Sequence, residues 1–564
     1  MNYSGAGKSS LLNILAAVDG SNSIISGEIL LNGKKQIKGY RNKVAYVQQD
    51  DSLYETLTVR ECVEYSALLR LPRDTTAATK SDHVDRTLEE LGITHVANNR
   101  IGSNQGNGRN FISGGERKRV SIGMELVAQA SVLICDEPIT GLDSYAGSQV
   151  MKVLKDLATR NRIVILSIHQ PSMKSFLLLD QVILLGEGRM VYNGKPSEVG
   201  RFLSDQGFPC PELETVADHV LDVISVKGNC DVLIDAQASV AKDAKPETVD
   251  TQSTALADEK QSTTGGIFRL LNDIQILFGR TAKDIFRNKE LFLLQMTFST
   301  ALALLTGGIF SGVTNDLAGF QNRMGAFYFS LSFFAFASFS SMDVFVKERH
   351  IFVRETGSKY YGAFPYFLTK MVSDLLVLRV IPVSAFAFIF YWMMGLKSEP
   401  EAFIIFWATL VLFNVCAGSI SICISIVTPT VGQANLIAAV WFLIMLLFGG
   451  FLLNVDTMSE WYEWLKYASI FYYSFEILMT NELAGLVLSF DAPGYPAIPV
   501  YGEVFLETIG MNVDDQIRDL ICLCGLAAGF CVLAYLLLLF RVPRSAAQHF
   551  RKMERENKRL SRNR

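Results

Sequence analysis

The chain has 564 residues, a formal net charge of −4 and a sequence pI near 6.0. This length predicts several domains, and the slightly acidic balance argues against a nucleic-acid partner. Hydrophobic residues make up 49% of the chain and the mean hydropathy is +0.25, which is high for a soluble protein. The apolar excess lies in the second half, so a charged, mixed first part precedes a part that resembles a membrane domain.

Residues 1–227 alternate short apolar strands with helical stretches. The runs Val44–Val47, Val132–Cys135 and Ile163–Leu166 are continuous and rich in β-branched residues. Such runs, when helices separate them, are typical of parallel strands that are buried on both faces. The first part is therefore predicted to be an α/β domain.

Two segments of different character follow this domain. Residues 228–266 are rich in Asp, Lys, Ala, Ser, Thr and Gln, which predicts a flexible linker. Residues 267–290 place apolar side chains on one helical face and interleave basic ones, which predicts an amphipathic connecting helix on the membrane surface. The alternative for the second segment is an ordinary surface helix.

Six apolar runs approach the length of about 20 residues that a spanning helix needs. The predicted spans form an all-α transmembrane domain over 291–541, and they cover residues 291–313, 325–346, 367–395, 402–427, 433–453 and 519–541. Basic residues are concentrated after the second span and in the tail 542–564, whereas the segment 454–518 has only Lys466 and Arg518 among its basic residues. Positive charge favours the cytoplasmic side. We therefore expect the first domain and both termini in the cytoplasm and 454–518 as an outer loop, in the plasma membrane or an organelle membrane.

The start of the chain carries a glycine-rich loop before an apolar helical run. Small residues allow backbone N–H groups to surround phosphate oxygens, and a helix N-terminus favours an anion. In such a P-loop, Lys8 would reach the β- and γ-phosphates and Ser9 would bind Mg²⁺. Asn2 stands where the motif has its first glycine. The predicted ATP-binding residues are Ser4, Gly5, Ala6, Gly7, Lys8, Ser9 and Ser10.

Four further motifs follow in a fixed order. Ser113-Gly-Gly-Glu116 precedes a charged helix, Asp136-Glu137 ends an apolar strand, Asp143 follows a short loop, and His169 ends another strand. One such motif alone would be weak, but the set in this order resembles the ATPase domain of ATP-binding-cassette (ABC) transporters.

The resemblance implies a role for each nucleotide-site residue. Asp136 would hold Mg²⁺ through water, and Glu137 would be the general base or the group that orients the attacking water. His169 would contact the γ-phosphate. Gln49, in preference to Gln48, matches the Q-loop glutamine that contacts Mg²⁺ and relays the nucleotide state to the membrane domain. The expected cofactors are therefore ATP and Mg²⁺.

In this family the signature motif caps the ATP that another subunit holds. The motif here consists of Ser113, Gly114, Gly115 and Glu116, and the D-loop residue Asp143 would lie at the subunit interface. The chain carries one P-loop and one signature. It is therefore expected to be a half-transporter that acts as a homodimer or as a heterodimer with another half-transporter.

The order of domains, ATPase first, resembles subfamily G, whose half-transporters include the white and breast cancer resistance protein types. The sequences Leu57-Thr-Val-Arg-Glu61 and Ser121-Ile-Gly-Met-Glu-Leu126 support this branch. The same resemblance suggests a substrate path, for which the alternative is helix packing or lipid contact. Its candidate residues are Phe336, Arg379, Phe451 and Leu452.

The predicted function is ATP-driven export of a hydrophobic or amphipathic small molecule, such as a lipid, sterol or xenobiotic, across a membrane, with membrane lipids as further partners. One alternative is a catalytically impaired subunit that needs a partner. Two features motivate it: Asn2, and the absence of the strand that precedes the P-loop in the family. We expect that a truncated gene model explains the missing strand. A second alternative is a soluble ABC ATPase, against which the six apolar runs argue.

Overall fold

The computed structural model describes residues 6–18, 29–31, 34–35, 40–72, 74–102, 111–212, 214–243, 266–453, 460–490 and 498–541. The chain forms two compact units. The first contains residues up to 276 together with 353–361, and the second contains 277–352 and 362–542. The predicted basic tail 542–564 lies outside the described residues.

The first unit is an α/β unit. Its strands are β1 (Leu30–Leu31), β2 (Lys34–Lys35), β3 (Val44–Val47), β4 (Val132–Cys135), β5 (Ile163–Leu166), β6 (Val182–Gly186) and β7 (Arg189–Gly194). Its helices are α1 (Lys8–Leu15), α2 (Tyr40–Lys43), α3 (Val59–Arg70), α4 (Ala77–Glu90), α5 (Gly114–Leu126), α6 (Ser144–Thr159), α7 (Met173–Leu177), α8 (Val199–Asp205), α9 (Val216–Ser225) and α10 (Lys227–Asp243).

Three parallel strands form the central sheet in the order β3-β4-β5, while β6 and β7 form a separate antiparallel pair. All four residues of β4 are buried, as its continuous apolar sequence predicts. The register sets Val47 beside Cys135 and Cys135 beside Leu166, so the three strands end level with one another. The predicted α/β fold of the first part is thus confirmed.

An apolar groove of about 590 Å³ lies beside β5 in the first unit. It is lined by β5, by residues of β6 and by the apolar side of α1, including Leu11 and Leu15. One edge of β5 pairs with β4, and Ile163 on this strand is half exposed. Residues 1–5, which contain the start of the predicted P-loop, lie outside the described residues.

The segment predicted as a flexible linker begins as a helix. Helix α10 covers Lys227–Asp243, and its residues Cys230 and Leu233 are buried in a core with α9 and β7. The prediction of a linker from residue 228 therefore does not hold for this stretch, because composition alone did not reveal the two apolar side chains on one helical face. Residues 244–265 lie outside the described residues.

The connecting helix α11 (Gly266–Arg287) is observed where the sequence predicts it. The chain continues with α12 (Lys289–Ile309), α13 (Leu317–Ala337), α14 (Ser340–Gly357), α15 (Ala363–Asp374), α16 (Ile381–Met394), α17 (Pro400–Val427), α18 (Val431–Leu447), α19 (Glu460–Ala468), α20 (Ile470–Leu483), β8 (Val487–Phe490), β9 (Ile498–Tyr501), α21 (Gly502–Thr508) and α22 (Gln516–Arg541). All of these lie in the second unit except residues 353–357 of α14, which belong to the first.

Five helical segments among the described residues are long and apolar enough to cross a membrane: Lys289–Ile309, Leu317–Gly357, Ala363–Met394, Pro400–Val427 and Val513–Phe540. They match five of the six predicted spans. The remaining one, predicted over 433–453, is the shorter apolar helix α18, which ends at Leu447 before two glycines. Helix α17 is the most buried of these spans, so it forms the centre of this unit's core.

The outer segment predicted as a loop contains ordered elements. Helix α20 is almost entirely buried against α13, α17 and α22, and β8 pairs with β9. The apolar and aromatic side chains of α20 are not confined to one face, which is typical of a helix buried on several sides, and its polar residues Ser474, Glu476, Thr480 and Glu482 are buried as well. The prediction of a loop over 454–518 therefore understates the structure of this segment.

Two buried carboxyl groups lie together at the junction of α20 and α22. Glu476 is 1% exposed and Asp519 is fully buried, and Arg518 ion-pairs with Asp519 at 2.9 Å and with Glu476 at 4.0 Å. Tyr472 and the backbone N–H of Asn512 also face Glu476. Burial, and then the negative charge of Asp519, raise the pKa of Glu476 above its ordinary value.

The raised pKa of Glu476 predicts that the free energy of unfolding of the protein falls as pH rises. A carboxyl group whose pKa is raised by folding stabilises the protein fully below its unfolded pKa, and that stabilisation is lost as pH rises through the folded pKa. We expect a lower Tm in nanodiscs at about pH 9 than at about pH 6, and a smaller difference in Glu476→Gln. An identical pH dependence in Glu476→Gln would contradict this account.

Candidate nucleotide site

The predicted site residues come shortly after the ends of the three parallel strands. Gln49 follows β3, Asp136 and Glu137 follow β4, and His169 lies three residues after the end of β5. Because these strands end level, the three loops that follow them begin at one edge of the sheet. This is the edge at which ligands bind in open parallel sheets.

The P-loop residues that the structure describes lead directly into α1. Gly7 has φ +89°, a left-handed conformation that glycine adopts without strain, and it is the N-cap of α1. Lys8, Ser9 and Ser10 form the first turn, whose backbone N–H groups have no partner within the helix. A helix start of this kind favours a phosphate group. Ser4 and Gly5 lie outside the described residues.

A cavity of about 680 Å³ brings the predicted residues together. The cavity is lined by the described part of the P-loop, by the Q-loop, by the loop that follows Asp136 and by the residues after β5. Its lining residues are Ala6, Gly7, Lys8, Ser9, Ser10, Gln49, Glu137, Thr140, His169 and Gln170. Thr140 and Gln170 were not predicted as site residues, because neither is a defining residue of one of the sequence motifs.

The carboxylate of Glu137 lies at the centre of the polar contacts in this cavity. Gln49 donates a hydrogen bond from Nε2 to its Oε2 at 3.0 Å, and Lys8 Nζ lies 3.8 Å from its Oε1. Thr140 also donates to Oε2 at 3.2 Å. Contacts from two other segments, together with Thr140 from its own loop, therefore fix the position of this carboxylate.

Ser167 ties the two acidic residues together and was not predicted. Its hydroxyl donates to Asp136 Oδ1 at 2.5 Å and accepts from the backbone N–H of Glu137 at 2.9 Å. Asp136 is 6% exposed, so this contact replaces solvent for one of its oxygens. The one feature of the sequence that could have indicated a role for Ser167 is its position at the end of an apolar strand, two residues before His169.

Two residues at this site have an unfavourable backbone conformation. Glu137 has φ +45° and Gln170 has φ +47°, which places non-glycine residues in the left-handed region. Each such residue costs on the order of 1–3 kcal/mol and persists only where the surrounding structure holds it. Both residues line the cavity, so the strain is located where function is expected.

The signature motif forms the start of α5. Ser113 is its N-cap and makes a capping box with Glu116. His95 contacts the carboxylate of Glu116 at 3.0 Å. Partial burial opposes ionisation, but hydrogen bonds from Ser113 and His95 outweigh it and hold the pKa of Glu116 below its ordinary value. Gly115 is required here, since a Cβ would meet that of Ala146 at 2.9 Å.

The signature residues do not line the described cavity that contains Lys8. Asp143, the predicted D-loop residue, is the N-cap of α6 and accepts hydrogen bonds from the backbone N–H groups of Tyr145 and Ala146 at 3.2 Å. Both motifs thus stand at helix starts that leave their polar groups accessible.

The four substrate-path candidates in the second unit have different environments. Phe336 is 38% exposed and Leu452 is 55% exposed, whereas Phe451 packs on Tyr328 with ring centroids 4.7 Å apart. Arg379 is 2% exposed and lies in a π-helical turn over Leu375–Val380. It donates to Ser338 O and Asn414 Oδ1, contacts Ser341 Oγ and lies 3.9 Å from Asp374.

Comparison with known proteins assigns both units. The ABC transporter family model matches residues 3–140, and the ABC-2 type transporter model matches residues 272–483. The chain is 34% identical over 511 residues to the rat broad substrate specificity ATP-binding cassette transporter ABCG2, an alignment that covers 85% of this chain and 77% of that protein.

The chain belongs to the ABC transporter family, in its subfamily G. The bovine broad substrate specificity transporter ABCG2 is 33% identical, with 95% of this chain and 87% of that protein covered. Protein white of Ceratitis capitata is 32% identical, with 96% of this chain and 82% of that protein covered. The predicted subfamily and fold class are confirmed.

Membership of the ABC transporter family identifies the first unit as an ATPase domain. This ABC transporter binds ATP, and its hydrolysis of ATP is coupled to transport. It is a multi-pass membrane protein, because the ABC-2 type domain contains several apolar helices of spanning length. The soluble-ATPase alternative is thereby excluded.

Proposed function

We propose that this subfamily G transporter is a dimeric half-transporter that exports a hydrophobic or amphipathic small molecule. The observation that carries the proposal is the separation of the two ATP motifs within one chain. The P-loop and Glu137 share one cavity, while Ser113 and its neighbours do not line it. Two copies, or this chain and another half-transporter, would bring each signature to the other subunit's ATP.

The substrate class is supported by the relatives and by the second unit. The names of the rat and bovine relatives describe broad substrate specificity. Exposed apolar side chains of the second unit, including Phe336 and Leu452, suit a lipid, sterol or xenobiotic that enters from a lipid membrane. Arg379 is buried among polar partners, so we assign it to the geometry of the path rather than to direct contact.

The residues of the nucleotide cavity have separate roles in ATP hydrolysis. The first turn of α1 and Lys8 bind the phosphates, His169 contacts the γ-phosphate, and Glu137 orients or deprotonates the attacking water. Phosphoryl transfer is mostly positioning and neutralisation of charge, so residues that fix Glu137 matter as much as Glu137 itself. Gln49 and Thr140 do so directly.

The same cavity suits a magnesium ion. Ser9 and Gln49 line it and Asp136 ends the adjacent strand, which offers the hydroxyl, amide and carboxylate oxygens that Mg²⁺ prefers. Bound Mg²⁺ would neutralise charge on the β- and γ-phosphates. We further propose that the ATPase unit faces the cytoplasm, as the distribution of basic residues predicts, in the plasma membrane.

Mixing two inactive variants tests the composite site. Lys8→Ala removes the phosphate contact, and Ser113→Arg blocks the signature. Each variant alone would have two defective sites in a homodimer. A mixed dimer would collect both defects in one site and leave the other intact. We therefore expect ATPase activity to return when the two tagged variants are co-expressed and purified through both tags.

The outcome separates three assemblies. Recovered activity in the doubly tagged fraction supports a dimer with shared sites. Doubly tagged dimers that stay inactive would contradict independent composite sites. The absence of a doubly tagged fraction would contradict the homodimer, and the same pair of variants would then be tested beside another half-transporter.

A further inference from the structure

Lys118 is a buried cation on the signature helix. It lies in the second turn of α5, and the residue is 2% exposed. Its Nζ donates to the backbone oxygen of Gln49 at 2.8 Å and to that of Gln48 at 3.4 Å. It also lies 3.0 Å from Asp51 Oδ1. These contacts use all three donors of the ammonium group, which compensates for the loss of water.

All three partners of Lys118 belong to the loop that follows β3. That loop also presents the side chain of Gln49, whose Nε2 donates to Glu137 Oε2 at 3.0 Å. A continuous set of contacts thus runs from α5 through Lys118 to the backbone of Gln49, and from its side chain to the catalytic carboxylate. Lys118 does not itself line the nucleotide cavity among the described residues.

The residues at the two ends of this set of contacts are expected to act on different nucleotides. Ser113, the N-cap of α5, lies about 7.5 Å along the helix axis from Lys118 at a rise of about 1.5 Å per residue. Under the proposed function that helix start contacts the nucleotide of the partner subunit. Gln49 and Glu137 act on the nucleotide of their own subunit. A rigid helix and a buried ion pair are suited to transmit a small displacement between them.

We propose that Lys118 is a positioning residue that fixes Gln49 and Glu137 according to the position of the signature helix. It touches neither nucleotide, and it acts through the backbone of the Q-loop. The inference rests on the proposed dimer for its regulatory meaning. The local effect on hydrolysis rests only on contacts within one chain.

Lys118→Met tests the local effect, because methionine keeps an unbranched apolar side chain and removes the donors. We expect kcat for ATP hydrolysis in nanodiscs to fall on the order of 100-fold, as a misplacement near 1 Å does. The Kd for ATP should stay within about twofold, since Lys118 lies outside the cavity. Lys118→Gln keeps one donor for the Gln49 carbonyl and should recover part of kcat.

A double-mutant cycle distinguishes positioning from general stability. If Lys118 acts through Gln49, then Lys118→Met should change kcat by no more than about twofold in a Gln49→Ala background. An equal loss of kcat in both backgrounds would overturn the proposal, as would unchanged kcat in the single variant. Tm is measured for each variant, and an inactive Lys118→Met with a collapsed Tm leaves the decision to Lys118→Gln in the same cycle.

Arg119→Met is the matched control. Arg119 is the next residue of α5 and donates to the backbone oxygens of Gly115, Leu91 and Gly92, none of which belongs to the Q-loop. Its cycle with Gln49→Ala should be additive. Failure of the mixed-variant experiment together with success of this cycle would reject the dimer and retain Lys118 as a positioning residue.

Discussion

Glu137→Gln is expected to lower kcat for ATP hydrolysis by about 10²–10⁴-fold, the usual contribution of a general base. Glutamine preserves the shape and can still accept the hydrogen bond from Gln49, but it cannot take a proton from water. It also removes a negative charge 3.8 Å from Lys8, which favours a bound phosphate. ATP binding should therefore be equal or tighter, and ATP should remain trapped.

Steady-state ATPase activity in nanodiscs and retention of radiolabelled ATP after gel filtration measure the two effects. Glu89→Gln is the control, because Glu89 is an exposed residue of α4. It should leave both quantities unchanged. Residual hydrolysis near the wild-type rate in Glu137→Gln would assign catalysis to another residue of the cavity.

Glu482→Ala is expected to destabilise the second unit by about 3–5 kcal/mol, because it leaves a buried positive charge without its anionic partner. Arg323 and Glu482 are 3% and 2% exposed, and Arg323 Nε lies 3.3 Å from Glu482 Oε1. The other oxygen of Glu482 accepts from the backbone N–H of Lys397 at 3.2 Å. The remaining contacts of Arg323, to Thr314 O and Asn315 Oδ1, are to neutral groups.

The double variant Arg323→Met with Glu482→Leu separates charge from packing. Replacing both members of a buried pair with apolar residues is often neutral or stabilising, so this variant should unfold later than Glu482→Ala. Thermal unfolding in nanodiscs gives the order of stability. Glu482→Ala that unfolds within about 0.5 kcal/mol of the wild type would show that the pair is dispensable.

The nucleotide site was largely predictable because its residues belong to motifs with fixed spacing. Lys8, Gln49, Glu137 and His169 are separated in sequence, yet they line one cavity as the resemblance implies. Ser167 was not predictable, since a serine at a strand end has no motif of its own. Its role depends on the parallel register that aligns the ends of β4 and β5.

The helices and strands of the segment 454–518 were not predicted, for a different reason. The segment 454–518 was predicted as an outer loop because it has only two basic residues, a pattern that gives no information on packing, yet Glu476 and Glu482 within it are buried and paired. Helix α10 was not predicted because its overall hydrophobicity is low: among its described apolar residues, only Cys230 and Leu233 are fully buried. Tertiary contacts that compensate buried charge do not appear in hydropathy or composition.

ATP-dependent uptake into proteoliposomes tests the central claim most directly. Wild type and Glu137→Gln are reconstituted with a fluorescent sterol, a fluorescent phospholipid or rhodamine 123 as the probe. The account predicts that ATP drives at least one probe into the lumen with the wild type, and that neither the Glu137→Gln variant nor a non-hydrolysable ATP analogue does so. Protein that hydrolyses ATP but moves none of these probes, or uptake that persists in Glu137→Gln, would contradict it.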